Sequence, residues 1–486
     1  MSISALHSAV EGLATDRGAM VLSDQFLNSA VLNSLRKAAF RLKGFYVETL
    51  HPKVTARFDG ISISERDLKV ELVSAGADKY NLHITPAFEL NLTLFVTGDP
   101  TKIFSTVTFK VPELDVEVIP RFTLIELSPI PPTITAEFPA TPVATRDDAI
   151  KDSKIVIEDL LRVEGSFAYG TGTRLVLSAL GKMPPIDLCE IFPTISFSGK
   201  LELKNSGSSL VVIPEQFDLK AFSGCPQEGV IQGFKVFPQN PTRTGDSLTY
   251  VMQYGIPQAK PVQKPNQNVP VVALYMPRPL LQARFGAVAP AVTYRDRDNG
   301  FIGYDLQLTA AIKGIEVSID EQQGALNLLL SFSAYGSLVA DIDLPTVGRV
   351  KLAEARFEMP ENNGVGDIRA VLRLGIDSGA RVLLLTEFGG ANLGKAKVDI
   401  ELFSKYLGMA GGAAAVYGLI IDGVLGKIIS HNLPGLIYET IENSLNSKFF
   451  VLADFKGISK YLPSLPNSPM FSGNANSALM GANYEG

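Results

Sequence analysis

The chain has 486 residues, of which 46% are hydrophobic and 19% are charged, and its formal net charge is −6. A chain of this length holds roughly two to four domains, and its composition excludes a mostly disordered protein. The negative charge, without a long run of lysine or arginine, argues against nucleic acid as a partner. The negative charge also gives no support for electrostatic attraction to a membrane surface.

The two cysteines, Cys189 and Cys225, lie far apart and outside any CxxC pattern. They predict neither a disulfide framework nor a structural zinc site. The stretch from Met1 to Met20 contains charged residues and lacks the apolar core of a secretory signal. We therefore expect a cytoplasmic protein, or one exported without a classical signal peptide.

The first strong pattern in chain order is helical. Ser23 and Asp24 stand where an N-cap and a first-turn acid would stand, and apolar residues follow at helical spacing as far as Leu42. Gly44 lies just past the end, as a helix C-cap does. This pattern predicts an amphipathic helix of about five turns, after which the period changes to that of strands.

A strand pattern from Leu90 to Val118 occurs again from Leu326 to Leu352. Leu90, Leu92 and Leu94 alternate with other residues in the first copy, as Leu326, Leu328 and Leu330 do in the second. We predict that these leucines face the interior and that each copy is a hairpin or meander unit with a short turn after its leucine run. The similarity indicates an internal duplication.

Prolines and glutamines concentrate between Gly255 and Pro270, which predicts a linker. We accordingly divide the chain into a first module (1–255), a linker (256–270), a second module (271–462) and a disordered tail (463–486).

The most apolar region, Gly408 to Ile429, is predicted to be a helix containing six glycines. Six glycines cost a helix on the order of 3 to 6 kcal/mol relative to alanine. Either close backbone packing offsets that cost or the missing side chains leave room for a ligand, with Gly411 and Gly418 on its wall. The uncharged run is too short for a transmembrane span.

No pattern of catalytic or metal-binding residues is present. The four histidines are scattered, and neither HExxH nor GxSxG occurs. Ser34–Lys37 matches SxxK without its partner motifs, and Gly389–Lys395 resembles a P-loop but lacks the hydroxyl residue that follows the lysine. We predict no catalytic residue, no metal and no cofactor.

These patterns predict an α+β, β-rich fold of two tandem modules, each a long curved antiparallel meander wrapped around amphipathic helices. The order of N-terminal helix, meander, proline-rich linker, second meander and glycine-rich helices resembles the tubular lipid-binding (TULIP) superfamily. It resembles most the bacterial branch found in clostridial neurotoxin gene clusters. Cys189 and Cys225 do not identify the disulfide of the extracellular animal members.

The resemblance implies a non-enzymatic protein that binds a lipid or another apolar ligand in a tubular cavity. The ligand-lining residues would then be Leu90, Leu92, Leu94, Leu326, Leu328, Leu330, Gly411 and Gly418. It also implies an accessory role in a bacterial toxin or secretion gene cluster, with partners among the proteins of that cluster. The alternative is a structural or assembly protein, such as a phage or toxin-complex component, whose β cores are filled by side chains.

Overall fold

The structure of the chain is a computed structural model. It describes residues 2–44, 46–48, 53–63, 68–76, 79–85, 88–130, 135–137, 183–207, 209–219, 235–238, 242–244, 247–250, 252–255, 269–286, 289–360, 362, 364–377, 381–395, 397–403, 405–420, 436, 439–440, 449–455, 459, 461–462 and 464–484. Most of the predicted linker, and the predicted helix beyond residue 420, lie outside these ranges.

The first half of the chain, up to residue 255, is mainly β with two helices near its start. These are α1 (Ile3–Ala14) and α2 (Asp24–Leu42), on either side of strand β1 (Ala19–Ser23). The next strands are β2 (Tyr46–Glu48), β3 (Val54–Ser62), β4 (Lys69–Gly76), β5 (Lys79–Thr85), β6 (Phe88–Val96), β7 (Asp99–Val111), β8 (Leu114–Arg121), β9 (Leu124–Pro129), β10 (Thr135–Glu137) and β11 (Ile186–Asp187). Helix α3 (Leu188–Ile191) then precedes β12 (Ile195–Asn205), β13 (Ser209–Leu219), β14 (Lys235–Pro238), β15 (Thr242–Thr244), β16 (Ser247–Tyr250) and β17 (Met252–Gly255).

Helix α2 forms as its sequence predicts. The Ser23 hydroxyl accepts a hydrogen bond from the Phe26 backbone N–H at 3.2 Å, which caps the first turn. Past the other end, Gly44 has φ +79 and donates its N–H to the Phe58 carbonyl of β3. The helix lies against two antiparallel sheets, in the orders β10-β7-β6-β3-β2 and β11-β9-β8-β5-β4.

The second half repeats the order of strand, helix and meander. It begins with β18 (Val272–Pro277) and α4 (Arg278–Phe285). The meander comprises β19 (Val292–Asp298), β20 (Ile302–Asp320), β21 (Ala325–Leu344), β22 (Gly348–Met359), β23 (Gly366–Ile376), β24 (Arg381–Lys395) and β25 (Lys397–Leu402). A 3₁₀ helix (Lys405–Ala410), helix α5 (Ala413–Gly418) and strands β26 (Phe449–Asp454), β27 (Ser468–Gly473) and β28 (Ser477–Asn483) follow.

One large antiparallel sheet holds the strands of this meander, in the order β15-β16-β24-β23-β21-β20-β19. Strand β22 pairs with β21 and β25, and β26 pairs with β24. Strands β15 and β16 precede the predicted linker, yet they pair with this sheet through β24. The β-rich α+β class predicted from the sequence is confirmed.

The second copy of the leucine pattern is not a hairpin. Residues 325–344 form the single strand β21, and the predicted turn after Phe332 does not exist. Gly336, within the segment predicted to turn, lies opposite Phe357 of β22. A side chain at Gly336 would collide with that ring and with the Gln307 carbonyl of β20. The glycine therefore permits close packing inside a continuous strand.

A six-stranded central sheet joins the two halves, in the order β12-β13-β1-β18-β28-β27. Strands β1 and β18, the first of each half, pair antiparallel at its centre. Each is flanked by a later hairpin of its own half, β12–β13 beside β1 and β27–β28 beside β18. One face of this sheet packs on α1 and the other faces the main core.

The predicted disordered tail is wrong, because β27 and β28 belong to this central sheet. Every residue of both strands is buried. A side chain at Gly481 would collide with the Val272 carbonyl of β18 and would lie 2.7 Å from the Ala273 Cβ. The small residues that suggested disorder instead allow strands buried on both faces to pack closely.

The continuous helix predicted from Gly408 is also wrong over its described part. The 3₁₀ helix ends at Ala410, and α5 begins only at Ala413. Gly411 and Gly412 separate the two with φ +88 and +90, a conformation that glycine adopts readily and other residues avoid. Among the described helices, none has the length and apolar character needed to cross a membrane.

Candidate functional site

The six leucines predicted to line a ligand cavity point into the interior, as predicted. Their exposed fractions are 0–1%. They belong to one continuous cluster of buried apolar side chains that extends through both halves. In β6, Leu92 pairs across to Val107, and in β21, Leu328 lies between Val317 and Ala370. Side chains pack around these positions. Contact between these leucines and a ligand stays a prediction.

The two glycines predicted to line the cavity occupy different surroundings. Gly411 is exposed, in the break between the 3₁₀ helix and α5. Gly418 ends α5, and a Cβ built there meets no atom within 4 Å. The continuous helix that would have made them one wall is absent from the described residues. The structure therefore gives no reason to place a ligand beside these two glycines.

Helix α2 separates two different surfaces. Its inner face consists of apolar residues that are at most 2% exposed: Phe26, Leu27, Ala30, Val31 and Leu35. Arg36, Lys37, Phe40 and Arg41 are exposed on its last two turns. A cleft borders the helix near each end, and we call them the N-terminal cleft and the C-terminal cleft.

The N-terminal cleft, of about 250 Å³, lies between the first turns of α2 and strands β4 and β5. It is lined by Asp24, Leu27, Val70, Glu71, Leu72, Val73, Leu82 and Gly207. Leu27, Val70 and Leu82 are members of the core, whereas Val73 is 37% exposed. The cleft therefore connects solvent directly to the apolar interior of the first half.

The hairpin of β12 and β13 closes one side of the N-terminal cleft. Asn205 donates a hydrogen bond from its side-chain amide to the Leu72 carbonyl of β4 at 3.0 Å. Gly207 forms the turn with φ +86, where glycine is favoured. This contact fixes the edge strand β4 to the central sheet and keeps the cleft walls in position.

The chemistry of this cleft suits an apolar group. Five of its eight lining residues are apolar, and two carboxylates, Asp24 and Glu71, supply its charge. Its volume is somewhat below the about 300–1,000 Å³ usual for small-molecule pockets, so it would hold part of a longer ligand. The lining contains no serine, cysteine, lysine or histidine.

The C-terminal cleft, of about 390 Å³, lies between the exposed surface of α2 and the second half. Its lining residues are Asn33, Arg36, Lys37, Phe40, Arg41, Ser459 and Leu462. Phe40 is 86% exposed, whereas Leu462 is 5% exposed and belongs to the core. Asn33 donates a hydrogen bond to the Tyr461 carbonyl at 2.6 Å, which ties the helix to the far wall.

This basic surface was not predicted from the sequence, although the sequence contains a signal for it. No carboxylate occurs between Asp24 and Glu48, while Arg36, Lys37, Arg41 and Lys43 cluster near the end of the helix. The net charge of the whole chain concealed this local excess of positive charge.

A third polar cluster surrounds His7 of α1. Its Nε2 lies 2.9 Å from the Ser477 hydroxyl and its Nδ1 lies 3.3 Å from the Ser472 hydroxyl. Ser477 donates to the Glu11 carboxylate at 2.8 Å. Burial lowers the pKa of His7, and nearby Glu11 and Glu321 partly oppose that shift. Ser477 is fully buried, so no substrate reaches it, and the cluster fixes α1 to the last hairpin.

The described part of the chain contains no group of three or more histidine, cysteine, aspartate or glutamate side chains placed to hold a metal ion. Cys189 is exposed in helix α3. Cys225 lies outside the described residues.

No protein-family model matches the chain, and no curated protein sequence matches it. Two solved structures align with nearly the whole length of this chain. Lipopolysaccharide binding protein has 10% sequence identity and a TM-score of 0.36, over 97% of this chain and 99% of its own. P47 of Clostridium botulinum E1 has 9% identity and a TM-score of 0.27, over 96% and 99%. At such scores the likeness carries no argument about function.

Proposed function

We propose that the protein binds a lipid or another apolar ligand without catalysing a reaction, and that the ligand enters the first half through the N-terminal cleft. The observation that carries this proposal is the continuity of the cleft with the core. Leu27, Val70 and Leu82 are less than 8% exposed, yet they form part of its wall. An apolar chain placed there extends the core and leaves water, which is favourable by about 25 cal/mol per Å².

The charges at the mouth limit what the ligand can carry at that end. The Asp24 and Glu71 carboxylates repel an anionic head group and attract a cationic or hydrogen-bond-donating one. A ligand with a neutral or amine-bearing end is therefore favoured over a free fatty acid at this mouth. An accessory role in a toxin or secretion gene cluster stays an expectation from the family resemblance.

A second candidate is a structural or assembly protein with filled cores. The packing around the six interior leucines favours it, because the side chains that would line a tubular cavity are 0–1% exposed and belong to one cluster of buried apolar side chains. The two candidates differ in whether the N-terminal cleft takes up a ligand from solution.

A cleft-filling substitution separates them. Val73→Phe adds volume at a position that is 37% exposed, and Val398→Phe makes the same change at an equally exposed position on β25 of the second half. We expect binding of a fluorescent long-chain amine or alcohol to weaken at least fivefold in Val73→Phe and to stay unchanged in Val398→Phe. Absence of binding to the unmodified chain, or equal loss in both variants, would favour the assembly protein.

A further inference from the structure

The surface at the end of α2 carries a structural cost that the fold does not explain. Lys37 and Arg41 are four residues apart, which places like charges next to each other on the helix. Phe40 lies between them at 86% exposure, so its ring contributes little burial to folding. A cation in the last turn does favour the helix dipole, which accounts for Arg41. It does not account for Phe40 or for the cations a turn earlier.

The charge of this surface is opposite to that of the chain. The whole protein carries −6, but residues 25–47 contain four cations and no carboxylate. The C-terminal cleft repeats this pattern, since three of its seven lining residues are cationic and none is acidic. Its volume of about 390 Å³ falls within the usual range for small molecules, so it can admit a lipid head group.

We propose that Arg36, Lys37, Phe40 and Arg41 form a docking surface for an anionic phospholipid bilayer. The cations bind lipid phosphates and carboxylates, the Phe40 ring enters the boundary between head groups and acyl chains, and the cleft receives one head group. The combination of exposed aromatic and basic residues is typical of proteins that lie on membrane surfaces. This docking goes beyond the proposed ligand binding and does not depend on it.

The magnitude follows from the charges. Each cation near an anionic bilayer contributes about a fivefold factor in partition coefficient. Lys37→Gln combined with Arg41→Gln should therefore reduce binding roughly 25-fold. Because the attraction is screened within about 8 Å at physiological salt, raising the salt concentration should release the protein.

The test is vesicle co-sedimentation with the full chain, using phosphatidylcholine vesicles with and without 30% phosphatidylserine as a probe of about physiological surface charge. A matched double control, Lys79→Gln with Lys313→Gln, removes two exposed cations elsewhere. We expect binding only to the anionic vesicles, a roughly 25-fold loss in the α2 variant and no loss in the control. Binding to both vesicle types, binding to neither, or equal loss in both variants would overturn the proposal.

Phe40 has its own readout because the chain contains no tryptophan. Phe40→Trp places a single indole on the proposed surface, and Phe122→Trp places one at an equally bare site, 89% exposed, between β8 and β9. Anionic vesicles should shift the emission of Phe40→Trp to the blue and leave Phe122→Trp unchanged. An unshifted Phe40→Trp would refute insertion. If the C-terminal cleft binds free inorganic phosphate and the protein does not bind vesicles, the cleft is a site for a soluble anion. That result would contradict the docking surface.

Discussion

Gly336 tests whether β21 is a single long strand. A glycine is required at this position only if residues 325–344 form one uninterrupted strand of the sheet. In the structure, a Cβ at Gly336 collides with the Gln307 carbonyl and with the ring of Phe357, and lies 3.1 Å from the Leu308 Cα. Two of these three atoms are backbone atoms of β20, so neither can move without loosening the β20–β21 ladder. Gly336→Ala therefore overpacks the sheet.

The expected cost is the difference between two effects. Overpacking a well-packed site costs about 1–3 kcal/mol. Replacing glycine by alanine where the backbone permits it returns roughly 0.4–1 kcal/mol by restricting the unfolded chain. We expect Gly336→Ala to lower the free energy of unfolding by about 1–2 kcal/mol.

Gly314 in β20 is the matched control, since a Cβ there meets no atom within 4 Å. The free energy of unfolding, measured by urea titration with circular dichroism as the signal, should be at least as high for Gly314→Ala as for the parent. For Gly336→Ala it should be lower than for the parent. If the two variants are equally stable, Gly336 lies in an open turn after the leucine run, and the single-strand description of β21 is wrong.

Three further predictions concern the core, the last hairpin and the pH response. Leu328→Ala should lower the free energy of unfolding by about 2–5 kcal/mol, because Leu328 is buried. The neighbouring Leu329→Ala, at a position 38% exposed, should lower it little in the same assay. Equal losses would contradict the assignment of Leu328 to the buried face and Leu329 to the exposed face. Deleting residues 464–486 removes two strands of the central sheet and should abolish cooperative thermal unfolding, whereas an unchanged melting temperature would restore the disordered tail. Burial lowers the pKa of His7 below its ordinary 6.5, so its neutral form contributes stability that is present above pH 6.5 and is lost as pH falls through the lowered pKa. His7→Gln should therefore flatten the fall in melting temperature below pH 6.5, and an identical fall in both proteins would refute this role.

Local patterns predicted the elements whose signals lie within a few residues. The cap at Ser23 and the alternation at Leu90 depend on neighbouring residues, so the sequence contains all the information needed. The buried faces of both leucine runs follow from the same alternation. The β-rich class was therefore predictable without knowledge of the tertiary structure.

Two of the failures involve partners distant in the chain. Gly336 lies in the segment predicted to turn and Gly481 in the tail predicted to be disordered. The groups that pack against them, Phe357 and Val272, lie far away in sequence. In contrast, Gly411 and Gly412 do break the chain locally, although the apolar composition around them suggested a continuous helix. A glycine is thus ambiguous until its surroundings are known.

The candidate site was less accessible to sequence reasoning than the fold. The N-terminal cleft combines Leu27 of α2 with Val70 and Leu82 of two strands, and their meeting depends on how the sheet curves around the helix. Helical periodicity places Leu27 on an apolar face, but no local pattern brings it to the same opening as Val70 and Leu82. The basic end of α2 was visible as an acid-free stretch of sequence, and only its exposure required the structure.

The central claim is that the first half holds an apolar ligand, and mass spectrometry of an organic extract of the purified full chain tests it most directly. We predict that a lipid is recovered in near-stoichiometric amount from the parent protein and from Val398→Phe, and in reduced amount from Val73→Phe. Extracts that contain no lipid, from a parent chain that also fails to bind the fluorescent amine or alcohol, would contradict the claim and leave a protein with filled cores.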